Sequence, residues 1–193
     1  MTGQTQPAPV IIAGSGPAGS VLALYLAQRD IPVVLLEKEA SLPVDLRAST
    51  FHPPSLEMIA DLGFSVIDDM LVRGLVADRY QYRDRRSGDV ANFDMGLIAG
   101  DTRYPFRLQL EQYEFTRIAK RKLEGLASAE LRFSHEVTGF TEDADGVAVE
   151  LQTPDGVETL RASFLVSAEG AHSRIRKLAG IGYLGFTYDE KFL

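Results

Sequence analysis

Cysteine and tryptophan are absent from this chain, and histidine occurs three times. Without cysteine there is no disulfide, no thiolate metal site and no cysteine nucleophile. His52, His135 and His172 are far apart and lack the spacing of metal ligands. No Gly-x-Ser-x-Gly run occurs, which removes the nucleophile elbow of the serine hydrolases. Positive charge is also scarce. Lys and Arg number 20 against 27 Asp and Glu, for a formal net charge of -7. Such a field repels phosphate, so nucleic acid and anionic membrane are poor general partners. Lys120-Arg121-Lys122 and Arg83-Asp84-Arg85-Arg86 read as a solvated helix face and a hairpin tip.

The first charged side chain is Arg29, and Val10 to Ala27 is largely apolar. Gly14, Gly16, Pro17 and Gly19 interrupt that run, and no Lys or Arg precedes it as a signal peptide requires. Neither a membrane span nor an export signal is expected. The lack of cysteine is compatible with a reducing compartment, and a cytoplasmic location is expected. Met1 to Pro9 reads as a disordered tail. The 193 residues, 45% of them hydrophobic, suffice for one compact domain with a core and a small appendage.

Val10-Ile11-Ile12-Ala13 is a β-branched run suited to a buried parallel strand. Ala18, Val21, Leu22, Tyr25 and Leu26 share one face of a helix that should end near Asp30, before Pro32. Val33 to Leu36 is a second buried strand, completing a βαβ-type opening. Leu42 to His52 reads as a loop. A helix starts at Pro53-Pro54-Ser55 and stops at Gly63. Residues 75 to 100 read as a β-hairpin turning at Ser87-Gly88. Glu111 to Leu126 is a second long helix. Beyond it come short strands at 131–133, 137–141, 147–151 and 158–162. Phe164-Leu165-Val166 should return to the parallel sheet.

Gly14-Ser15-Gly16-Pro17-Ala18-Gly19 is a G-x-G-x-x-G turn between that first strand and helix. The first glycine permits the tight turn, the second lets backbone approach a pyrophosphate, and the third lets helix and strand pack closely. The helix start offers N–H groups and partial positive charge to phosphates. Glu37 closes the second strand, eighteen residues after Gly19. A carboxylate there accepts from ribose hydroxyls and repels a 2′-phosphate, which disfavours NADP at this site. Lys38 follows it. These residues define a site for an adenosine diphosphate group, and spacing alone leaves FAD and NAD both open.

Four segments in order, covering nearly the whole chain after the tail, resemble the FAD-dependent aromatic hydroxylases of the para-hydroxybenzoate and phenol hydroxylase class. The first is the glycine turn with Glu37. The second is Arg47-Ala48-Ser49-Thr50-Phe51-His52-Pro53. There the resemblance implies that Arg47 lies near the flavin phosphates, the alternative being a surface arginine paired with Asp45. The third is Leu110-Glu111-Gln112-Tyr113-Glu114-Phe115-Thr116, whose implied flavin contact is Gln112, with Gln109 close by. The fourth, Val166 to Arg176, resembles an Asp-Gly motif followed by Ser-x-x-Arg near the pyrophosphate, and assigns Glu169 and Gly170 to the cofactor. Glu169 departs from the usual aspartate by one methylene, and His172 stands where arginine is common. The first departure bears on local hydrogen bonding, the second on coupling to the nicotinamide reductant.

The implied fold is α/β: a Rossmann-like FAD-binding fold with an antiparallel β-meander and the start of a substrate-domain β-hairpin. On this view residues 10–74 and 101–193 form the FAD-binding domain and residues 75–100 belong to the substrate domain. The implied activity is hydroxylation of a phenolic or related aromatic substrate with dioxygen through a flavin C4a-hydroperoxide, with NADH or NADPH as reductant. A homodimer is compatible with it. No residue stands out as a catalytic acid or base, and no metal site is expected. A later Gly-Asp motif of the family has no counterpart, so the chain reads as an N-terminal fragment. Two alternatives stay open. One is another flavin enzyme of the same superfamily, such as a halogenase, epoxidase or reductase. The other is a non-catalytic nucleotide-binding domain.

Overall fold

The computed structural model describes residues 8–44, 48–186 and 189. The chain opens with β1 (Val10–Ala13), α1 (Pro17–Ala27), β2 (Val33–Glu37), β3 (Thr50–Phe51), α2 (Pro53–Ala60) and α3 (Val66–Arg73). It continues through β4 (Leu75–Ala77), β5 (Arg79–Asp84), β6 (Gly88–Asp94), β7 (Arg107–Gln109) and α4 (Gln112–Leu123). It closes with β8 (Ala129–Phe133), β9 (Glu136–Asp143), β10 (Gly146–Thr153), β11 (Gly156–Ala162), β12 (Phe164–Ser167) and α5 (Arg174–Leu178).

A parallel sheet in the order β12-β1-β2-β8 carries the architecture. Its central strands are apolar on both faces because both faces are covered. Val10, Ile12, Val33 and Leu35 join a core built with α1, α2, α3 and α4. Ile11, Ala13, Val34 and Leu36 point the other way, onto Val137, Val147, Val149, Leu151 and Ala162 of the antiparallel meander β11-β10-β9. Phe164 to Ser167 pairs with β1 in parallel, as the sequence requires. Pro9 is held rather than loose: its carbonyl accepts from the Ser163 amide at 2.9 Å and the Ser163 hydroxyl at 3.2 Å.

Some elements depart from the sequence reading. The buried face of α1 is Gly19, Ser20, Ala23, Leu24 and Ala27, while Tyr25 is exposed and Val21, Leu22 and Leu26 are half-buried. The helix lies close to its neighbours through a stripe of small residues, so the bulkier apolar side chains flank the contact instead of forming it. Helix α3 was not anticipated. It follows Gly63, Phe64 and Ser65, all at positive φ, which reverse the chain after α2. Asp68 and Asp69 in its first turn and Arg73 in its last suit the helix dipole.

The expected loop at 42–52 contains strand β3, part of an unanticipated sheet ordered β3-β7-β4. Leu75 to Ala77 pairs with β7 there, so the hairpin proper is β5–β6 and a 3-10 turn at Met95–Ile98 follows it. The segment after that turn is fastened to α2. Glu57 accepts from the Thr102 hydroxyl at 2.7 Å and the Arg103 amide at 3.1 Å, and these bonds hold its carboxyl below the ordinary value. Arg103 also pairs with Asp61 at 2.8 Å. Among the described residues, no helix is long and apolar enough to cross a membrane.

Candidate functional site

The C-terminal ends of β1, β2 and β12 open into a crevice of about 760 Å³. That size suits a cofactor, and the ends of parallel strands are where α/β sheets bind ligands. Its wall includes Gly14, Ser15, Gly16, Pro17, Ala18, Glu37, Lys38, Gln112, Glu169 and Gly170. Four segments separated in sequence thus meet at one site. Gly19 is not on the wall. Arg47 and its pairing with Asp45 lie outside the described residues, as do Met1 to Pro7 and the chain end at Phe192-Leu193.

The three glycines have separate jobs. Gly14 has φ +103, and a Cβ there would lie 2.5 Å from the Ala168 carbonyl oxygen of the neighbouring strand end. At Gly19 a Cβ would lie 1.9 Å from the Gly14 carbonyl oxygen, so this glycine serves the packing of helix on turn. Gly16 differs from both. Its φ is -63, and nothing lies within 4 Å of the place its Cβ would occupy. The space in front of it is therefore open to a ligand.

Gly16 is also the N-cap of α1, Pro17 fills the first turn, no side chain caps the helix and no acid sits in its first turn. The amides of a helix's first turn have no carbonyl partner within the helix. An uncapped, unneutralised start facing an open crevice fits a phosphate group.

Glu37 points at this turn. Its Oε2 accepts from the Ser15 amide at 3.1 Å and the Ser15 hydroxyl at 2.7 Å, and its Oε1 accepts from the Glu39 amide at 3.1 Å. A carboxylate has about four acceptor sites, so capacity is left for a hydroxyl donor. Ser15 itself is buried, and its carbonyl accepts from the Ser20 hydroxyl at 3.0 Å, which ties the turn to the helix.

Glu169 is held firmly. Its Oε2 accepts from the Ser167 hydroxyl at 3.1 Å, the Ser173 hydroxyl at 2.6 Å and the Ile175 amide at 3.0 Å. The extra methylene lets this carboxylate reach across the turn to the start of α5, where Ser173 is the N-cap and accepts from the Arg176 amide at 3.0 Å. Gly170 takes φ +76. Arg174 pairs with Glu136 at 3.1 Å, joining the two sides of the crevice rim.

His135, Glu136 and Val137 also line the crevice, as do Tyr113 and Thr116 of α4. None of these was picked out from the sequence. The signal for His135 lay in topology: β8 runs parallel to β2 with Phe133 opposite Glu37, so the next residues must emerge beside that carboxylate. The His135 amide donates to the Glu37 carbonyl at 2.9 Å, and its Nδ1 lies 2.7 Å from the Phe133 carbonyl. No group of His, Asp and Glu that could hold a metal occurs among the described residues.

Known proteins resemble this chain along nearly its full length. Para-nitrophenol 4-monooxygenase of Pseudomonas sp. (strain WBC-3) is 30% identical over 184 residues, which are 95% of this chain and 45% of that protein. Pentachlorophenol 4-monooxygenase of Sphingobium chlorophenolicum is 26% identical over 99% of this chain and 35% of its own. The crystal structure of p-nitrophenol 4-monooxygenase from Pseudomonas putida DLL-E4 superposes with a TM-score of 0.89 at 30% identity, covering 94% of this chain and 46% of that one. The chain thus spans less than half the length of these relatives. The FAD binding domain family matches residues 7–193, and the chain belongs to that family.

Proposed function

We propose that the crevice holds FAD and that the chain serves a monooxygenase that hydroxylates phenols or related aromatic rings, with NADH or NADPH as reductant. The observation that carries this reading is the open face of Gly16 at an uncapped helix start, with the Glu37 carboxylate beside it. When bound, the flavin supplies the redox chemistry: it accepts hydride from the nicotinamide and activates dioxygen.

The chain's own residues bind and orient. The first turn of α1 receives the diphosphate through backbone N–H groups and the helix dipole. Glu37 accepts from the ribose hydroxyls, sharing or replacing the bond it makes to the Ser15 hydroxyl. Lys38 adds a cation at the same rim. Gln112 opens α4 on the crevice wall and offers an amide to the flavin end of the cofactor. Glu169 fixes the backbone of Gly170 by bracing the start of α5. Two relatives, by name, oxidise para-nitrophenol and pentachlorophenol. Their shared phenolic substrates support the choice of an aromatic ring as the acceptor of oxygen.

The test is spectroscopic. The purified chain is titrated with FAD, and the bound flavin is then exposed to NADH and to NADPH without oxygen. Saturable flavin binding followed by bleaching of the visible bands is the expected result. Binding of NAD or ADP with no binding of FAD would overturn the reading.

A further inference from the structure

Among the described residues, four carboxylates line the crevice, Glu37, Glu39, Glu136 and Glu169, against the cations Lys38 and Arg174. A diphosphate entering such a space is repelled unless a cation turns toward it. Both cations already have partners. Lys38 lies 3.8 Å from Glu39, its neighbour in sequence, and Arg174 Nη1 donates to Glu136 Oε1 at 3.1 Å.

The second of these pairs lies across the mouth. Arg174 is rooted at the end of β12. The Ser173 hydroxyl beside it lies 2.8 Å from that of Ser167, and Ser167 stands opposite Ala13 in the parallel register. Glu136 is rooted at the end of β2, because the preceding His135 amide donates to the Glu37 carbonyl at 2.9 Å. In the sheet order β12-β1-β2, β1 lies between these two anchors. The ion pair therefore spans the end of the strand from which the glycine turn departs.

The root of Arg174 is fixed and its tip is not. Glu169 accepts from the Ser173 hydroxyl at 2.6 Å and the Ile175 amide at 3.0 Å, which pins the backbone on both sides of Arg174. The two charged side chains are 48% and 43% exposed. An ion pair this exposed contributes little to stability, so the guanidinium is easily given up to a better anion.

We infer that Arg174 and Glu136 form a latch across the crevice, and that Arg174 leaves Glu136 for the diphosphate of the incoming nucleotide. A guanidinium fork matches the oxygens of a phosphate as well as those of a carboxylate. Glu136 competes with the diphosphate for the same cation, and so sets how readily the crevice takes up and releases its cofactor. The latch rests on reading the crevice as the nucleotide site, and its test separates the two.

The 193-residue chain is titrated calorimetrically with ADP and with FAD at low salt, as wild type, Glu136→Gln, Arg174→Gln and the double variant. Glu136→Gln frees the guanidinium and should tighten ADP about 2-fold to 5-fold. Arg174→Gln should weaken ADP about 10-fold, and FAD likewise. In the double variant Glu136→Gln should bring no gain, since the cation it frees is gone. If it still tightens ADP there, Glu136 acts through the general field and the latch is overturned. A pair that merely holds the rim together predicts that both single substitutions weaken ADP. That result, or affinities equal to wild type throughout, overturns the latch and leaves the crevice reading standing. Should Arg174→Gln fail to fold by circular dichroism, Arg174→Lys replaces it. The lysine keeps the charge but loses the fork, so ADP should again bind more weakly than to the wild type. Failure of the wild type to bind either nucleotide overturns the crevice reading and the latch with it.

Discussion

Gly19 faces the carbonyl oxygen of Gly14 so closely that a Cβ on Gly19 would lie 1.9 Å from it. The contact is backbone against backbone, so no rotamer change can relieve it. Gly19→Ala must push α1 off the turn, and overpacking of this kind costs about 1–3 kcal/mol or more. Equilibrium urea unfolding should show a lower midpoint at unchanged slope. A midpoint equal to the wild type would mean that helix and turn are not this close.

Gly16 gives the opposite expectation. Its backbone angles are open to any residue, and its missing Cβ faces free space. Gly16→Val should therefore keep the unfolding midpoint within about 0.5 kcal/mol of wild type. The same variant should lose most of its FAD affinity, because the new side chain stands where the diphosphate approaches. Paired denaturation and flavin titration check both halves. A variant that binds FAD normally would place the phosphates elsewhere.

Ser173 and Glu169 form a second unit that stability measurements can reach. Ser173 is buried, caps α5 and donates to Glu169 at 2.6 Å. Ser173→Ala removes the cap and leaves the Arg176 amide without its acceptor, a loss of about 0.5–2 kcal/mol. Glu169→Asp is one methylene shorter, so the bond to the Ile175 amide should weaken. Amide hydrogen exchange at Ile175 and Arg176 should quicken in each variant, at its own donor first. Unchanged exchange at both positions would show that this carboxylate does not hold the helix start.

Asp143 and Arg161 pair across the tip of the meander, and Arg161 together with the Asp145 amide lowers the Asp143 carboxyl to about 2. A carboxyl depressed in the folded state adds stability above its unfolded value, and that contribution disappears as pH falls from about 4 through about 2. The pair is exposed, so the effect on stability is small and weakened by salt. The carboxyl itself reports it better. A carbon NMR titration of the Asp143 side chain should have its midpoint near 2. Arg161→Ala should move that midpoint up toward the ordinary carboxylate range, and a midpoint that stays put would show that the backbone amides, not the guanidinium, hold it down.

The parts of this fold most legible in the sequence were those with one dominant cause. The apolar runs of β1 and β2 pointed to buried parallel strands, β12 joined them at the sheet edge with Phe164 and Ser167 exposed, and the glycine turn between β1 and α1 named its own geometry. The buried face of α1 was misread because hydropathy gives most weight to Val21, Leu22 and Leu26. Close packing selected Gly19, Ala23 and Ala27 instead. Strands β3, β4 and β7 are two or three residues long and owe their pairing to partners distant in sequence, so no local period marks them. At the crevice, the glycine turn and Glu37 were found by spacing and Gln112, Glu169 and Gly170 by resemblance, whereas His135 arrives by tertiary contact and carries no motif.

Glu37 is the residue on which the nucleotide reading can be tested most narrowly. Its carboxylate already accepts from the Ser15 amide and hydroxyl and from the Glu39 amide. Glu37→Gln preserves the shape and, with its oxygen toward Ser15, the acceptor that Ser15 needs; it gives up the acceptor for the Glu39 amide and removes the charge that strengthens a bond from a ribose hydroxyl. Bonds to charged groups are worth about 1.5–3 kcal/mol, so FAD affinity should fall by roughly 10-fold to 100-fold. ADP carries the same ribose and should weaken by the same factor, whereas FMN, which has no adenosine, should be indifferent. Fluorescence titration with the three ligands separates the explanations. If FAD weakens while ADP does not, Glu37 acts through the Ser15 turn and does not hold the sugar.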